Sequence, residues 1–182
     1  MGLRNTFISW VYTKLMADGL SEIEINELEM LPPKISNLCK KLSGYSIKQT
    51  IVQPDFHDNN LLINDKTKTI SFIDLGEIVI SHPFFSLLNC LQQVKKHHAL
   101  SDGDDAYLQL IDACFKNYMN VESKKHLLDA FEAAKIVWIV YGALATDRLM
   151  NACGGTKVMS FQPGKLRDSL KELMNAWQCR GH

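Results

Sequence analysis

Apolar residues recur every three or four positions along most of this chain, and one central stretch breaks the rule. Leu3, Phe7, Ile8, Val11 and Leu15 follow helical spacing, with Gly19 as the stop. Ser21 and Glu24 stand at capping-box spacing and open a second helix that Pro32-Pro33 closes. Ile35, Leu38, Cys39 and Leu42 predict a third, ended by Ser43-Gly44. Helical spacing returns at Phe84–His98, where Phe84, Leu87, Leu88 and Leu91 share one side. Tyr107, Leu108, Ile111, Cys114, Phe115 and Tyr118 line the next helix, after a polar turn over 101–105. A long helix over 124–151 follows. Its middle, 136–144, is apolar on nearly all sides and predicts the buried axis of the fold. Gly154-Gly155 ends it, and Pro163-Gly164 precedes a last amphipathic helix bearing Leu166, Leu170, Leu173, Met174 and Trp177.

The exception is 51–75, IVQPDFHDNNLLINDKTKTISFIDL. Ile51-Val52 reads as a strand end and 53–59 as a polar loop broken by Pro54. Leu61–Ile63 and 70–73 read as short strands joined by the polar turn 64–68. Such a hairpin returns Asp74 towards Asn60, and Gly76 is expected to ease the turn that follows.

That return has a chemical consequence. Magnesium takes oxygen ligands in near-octahedral geometry and combines a few protein oxygens with waters and substrate phosphates. Asp74 offers a carboxylate and Asn60 an amide oxygen. Asp55 is placed to accept a proton from an attacking hydroxyl. A carboxylate base, an amide oxygen and a metal carboxylate are the parts that phosphoryl transfer requires.

The stretch Gln53-Pro54-Asp55-Phe56-His57-Asp58-Asn59-Asn60-Leu61-Leu62, with Ile73-Asp74-Leu75-Gly76 after it, resembles the catalytic core of the aminoglycoside phosphotransferase and choline kinase family, relatives of the protein kinases. The family pattern is His-Gly-Asp-(Phe/Leu)-His, two residues, Asn-(Leu/Val)-Leu, and later Ile-Asp-(Trp/Leu/Phe)-Gly. His82-Pro83 continues the likeness, falling where the family has a Pro before a helix. About 40 residues carry it. The resemblance implies Asp55 as catalytic base, Asn60 and Asp74 as the magnesium and nucleotide-phosphate ligands, and ATP as phosphoryl donor. The implied fold is α+β and predominantly helical: a protein-kinase-like C-terminal lobe with a small β-hairpin at the catalytic loop.

Three departures qualify it. Gln53 and Pro54 replace the usual His and Gly, removing an N–H and restricting Gln53 to extended backbone. Ser86 stands where many members have an Asp that braces the catalytic loop. The N-terminal ATP lobe is absent: no Gly-rich loop and no Val-Ala-Ile-Lys-like strand precede Asp55. The chain therefore reads as a single domain over 1–182, an isolated phosphotransferase lobe for small-molecule hydroxyls such as those of amino sugars or amino alcohols. Its expected partners are a separate N-terminal lobe or a second copy meeting an exposed apolar patch. The competing expectation is an inactive lobe that binds a ligand or protein without turnover.

Composition narrows the classes further. Lys+Arg and Asp+Glu are both 20, so a clustered basic footprint for nucleic acid is not expected. Five scattered cysteines without a Cys-x-x-Cys pair suit reduced thiols in the cytoplasm. The longest apolar run, 136–145, is too short for a membrane span. Met1-Gly2 with Thr6 matches a short myristoylation pattern that is common by chance. His97, His98 and His126 read as solvated, without a carboxylate at ligand spacing. His57 reads as shaping the loop ahead of approaching substrate, and Asp58 and Glu77 as solvated or facing a cationic substrate.

Overall fold

The computed structural model describes residues 15–152 and 164–178. Most of the first expected helix lies outside them, as do Met1, Gly2 and Thr6, Gly154-Gly155, Pro163, Cys153 and Cys179. Among the described residues the fold is α+β and predominantly helical. It has six main helices: α1 (Glu22–Glu29), α2 (Pro32–Ser43), α3 (Phe84–His98), α4 (Asp105–Phe115), α5 (Lys124–Ala152) and α6 (Lys165–Gln178). Four three-residue strands make two antiparallel pairs: β1 (Thr50–Val52) with β4 (Val79–Ser81), and β2 (Leu61–Ile63) with β3 (Ile70–Phe72). The chain divides into two compact units, 1–39 with 136–182, and 40–135.

In the first unit the predicted capping box forms. The Glu24 amide donates to Ser21 Oγ at 3.3 Å, and the Ser21 amide donates to Glu24 Oε2 at 2.7 Å. Glu24 also pairs with Lys171 of α6 at 2.8 Å. That ammonium, followed by the Ser21 bonds, holds the Glu24 carboxyl down at about 2. Pro32 and Pro33 do not merely end α1. They form the first turn of α2, where a missing N–H costs no helical bond.

The second unit is built round Phe84. Its ring is fully buried, stacks on Phe115 at 5.3 Å, and meets Phe131, Tyr118 and His82 edge-on at 5.8, 5.6 and 4.8 Å. The expected buried axis over 136–144 is corrected here. The fully buried positions of α5 in this unit are Leu127, Ala130, Phe131, Ala133 and Ala134, whereas Leu144 is exposed. Alanines look neutral in a hydropathy pattern, yet their small size lets another element lie close against the helix. At the start of α5, Glu122 accepts from the Ser46 amide at 3.0 Å and from His126 Nδ1 at 2.7 Å. His126 thus has a carboxylate partner four residues back, contrary to expectation, and the pair is a structural tie. These bonds, the Ser46 one largest, hold the Glu122 carboxyl at about 2. Burial alone pulls His82 down to about 4.

Phe84→Ala is expected to cost about 3–5 kcal/mol of folding stability in urea denaturation. The pH profile has two windows. His82 binds its proton more weakly folded than unfolded, so its contribution is intact above about 6.5 and declines as pH falls towards about 4. Glu122 contributes fully above about 4.5 and loses its contribution as pH falls towards about 2. Stability curves of His82→Leu and Glu122→Gln should each flatten in the matching window.

Candidate functional site

The hairpin and the start of α3 build the candidate site. β2 and β3 pair in the register Leu61↔Phe72, Leu62↔Ser71, Ile63↔Ile70. The turn closes because Asn64 Oδ1 accepts from the Lys66 and Thr67 amides at 3.0 and 3.2 Å. One step beyond the ladder, the Ile73 amide donates to the Asn60 carbonyl at 3.1 Å. The hairpin therefore brings Asp74 back beside Asn60, as its sequence predicts.

Asp55 lies in the loop between β1 and β2 with about half of its side chain exposed (51 %). Asn60 Nδ2 donates to the Asp55 backbone carbonyl at 2.8 Å and to its Oδ2 at 3.2 Å. Two acceptors facing one end of the amide fix which end carries the nitrogen. Asn60 is buried, and its Oδ1 is the atom left to meet a ligand. His57 Nδ1 accepts from the Asn59 amide at 3.2 Å, and its Nε2 lies 3.4 Å from both Asp55 Oδ1 and Asn60 Nδ2. His57 shapes the loop, as expected from its place in the motif.

Two residues of α3 complete the frame. Ser86 Oγ accepts from the Gln53 amide at 3.0 Å and donates to the Gln53 carbonyl at 2.9 Å. Serine therefore braces the loop where the resembled family uses Asp. One turn later, Asn89 Nδ2 donates to Asp55 Oδ1 at 3.3 Å and to the Phe56 carbonyl at 3.4 Å. Motif reading missed Asn89. Its signal was the Ser86–Asn89 spacing of three, which aligns two polar side chains on a helix whose other side is apolar.

Gln53, read from sequence as a backbone departure, ties the two halves of the site together. Its Nε2 donates to the Asp74 carbonyl, and its side chain is buried with Oε1 unpartnered among protein atoms. Asp74 adopts φ 54° and ψ 58°, a left-handed conformation uncommon outside glycine. The turn expected of Gly76 is made by Asp74 instead. Gly76 lies in the short helical turn Leu75–Glu77, where an added Cβ would come no closer than 3.9 Å to Asp74 Oδ1. Backbone held in this region costs about 1–3 kcal/mol and persists where neighbours impose it. Here the Gln53 amide and the Ile73 ladder bond supply the restraint.

The donor set suits magnesium in kind. Asn60 Oδ1 and the exposed Asp74 carboxylate are hard oxygens, few in number, as fits an ion whose other ligands are phosphate and water. Among the described residues no group of three or more His, Cys, Asp or Glu could hold a metal ion by itself. Cys39, Cys90 and Cys114 carry no disulfide. No described helix is long and apolar enough to cross a membrane. Comparison of the chain with family models, curated proteins and solved structures finds no match.

Ser86→Ala removes the hydroxyl that both accepts from the Gln53 backbone N–H and donates to its carbonyl. It is expected to cost about 1–3 kcal/mol in chemical denaturation.

Proposed function

We propose that this chain carries the catalytic lobe of an ATP- and magnesium-dependent phosphotransferase acting on a small-molecule hydroxyl. The observation that carries the reading is the half-exposed Asp55 carboxylate. Amide donors from Asn60 and Asn89 hold it in a fixed orientation, while the hairpin sets Ile73, next to Asp74, against the Asn60 backbone. A carboxylate so held, open to solvent on one side, is suited to accept a hydrogen bond from an incoming hydroxyl.

In this reading Asn60 Oδ1 and the Asp74 carboxylate would hold magnesium, which when bound would supply charge neutralisation to the nucleotide phosphates. Asp55 orients the acceptor hydroxyl and takes its proton. The bond from the γ-phosphorus to its bridging oxygen breaks, a bond to the acceptor oxygen forms, and ADP leaves. Asn89 and Asn60 keep the carboxylate from rotating away, and Gln53 fixes the backbone at Asp74 through its carbonyl. Positioning provides much of the acceleration in such a transfer. The exposed carboxylates Asp58 and Glu77 near this site suit a cationic acceptor, an amino sugar or amino alcohol. A nucleotide-covering lobe is the partner this reading calls for.

The test is ADP release with amino-sugar and amino-alcohol acceptors. Asp55→Asn should lower kcat by about 10²–10⁴-fold with nucleotide affinity retained. Full activity in Asp55→Asn would remove the assigned base. Magnesium-dependent nucleotide binding with no turnover on any acceptor would favour a binding module.

A further inference from the structure

We propose that the β2–β3 hairpin is a self-association surface, on which two copies of this chain pack face to face about a two-fold axis. This inference stands apart from the proposed chemistry.

The hairpin is short of cover. Opposed residues of an antiparallel pair share a face, so Leu61, Ile63, Ile70 and Phe72 line one side of the ladder. Ile63, Ile70 and Phe72 are 64, 58 and 54 % exposed. On the other side Leu62 is also exposed. Two strands of three residues are marginal without a third strand or a packed face.

Charge along the hairpin selects the occupant. Its tip carries Lys66 and Lys68, both exposed, and Lys68 makes only a loose 3.9 Å contact with Asp65. Its base carries Asp55, Asp58, Asp74 and Glu77, all exposed. With Asp65 beside the two lysines the tip is still net positive, and the base with its four carboxylates is net negative, so the two are complementary when two hairpins lie antiparallel. A two-fold axis near the Leu62–Ser71 pair places each tip on the other copy's base and stacks the two apolar faces. Zero formal net charge leaves no long-range repulsion between copies.

Two three-residue strands offer each partner far less than the roughly 800 Å² per partner of tight complexes. The dimer is therefore a weak one, with Kd on the order of micromolar.

Sedimentation equilibrium of the purified chain over roughly 1–100 µM reads this directly. Wild type should be a monomer–dimer mixture. Ile70→Lys should be monomeric, with an unchanged far-ultraviolet circular dichroism spectrum. The pair Lys66→Glu and Lys68→Glu should weaken association by about tenfold or more. Adding Asp58→Lys and Glu77→Lys to that pair should restore it. A wild type monomeric throughout would overturn the proposal. So would a dimer indifferent to Ile70→Lys, or one that charge reversal leaves unchanged.

Discussion

Gln53 is the residue on which the candidate site depends. Its backbone N–H and carbonyl are both bonded to Ser86 at the start of α3, and its side-chain amide holds the Asp74 carbonyl. Pro54, next in the chain, has no N–H and restricts Gln53 to extended backbone. One buried residue therefore couples three segments: the loop bearing Asp55, the helix that carries Asn89, and the turn bearing Asp74. The left-handed backbone of Asp74 persists because this clasp and the Ile73–Asn60 bond leave it little freedom.

The clasp rests in turn on the aromatic core. Phe84 anchors the first turn of α3 against Phe115, Phe131 and Tyr118, so Ser86 and Asn89 project from a helix that cannot easily shift. The burden falls differently on the hairpin. β2–β3 is joined to the site by the Ile73–Asn60 bond, yet much of its apolar surface faces solvent. A rigid frame thus stands next to a weakly covered one.

The hairpin was legible because Leu61–Ile63 and Ile70–Phe72 are short apolar runs on either side of an Asn-Asp turn. The capping box and the helices at 84–98 and 105–115 were legible for the same local reason. β4 was not. Val79–Ser81 is three residues between a Gly-containing turn and His82-Pro83, and it becomes a strand only by pairing with β1, nearly 30 residues earlier. Asn89 was hidden because its partner Asp55 lies 34 positions away. Gly76 misled, since flexibility was looked for in the glycine while hydrogen bonds imposed the turn on Asp74. The alanines of α5 misled too, because close packing rewards small size as much as hydropathy.

The proposed function requires that Asn60 and Asp74 hold magnesium on a nucleotide beside the Asp55 base. The measurement to make is calorimetric titration of the chain with ATP, with and without magnesium, beside Asp74→Ala. The expected result is heat of binding that requires magnesium and disappears in Asp74→Ala. Binding that ignores magnesium, or survives Asp74→Ala intact, would contradict it.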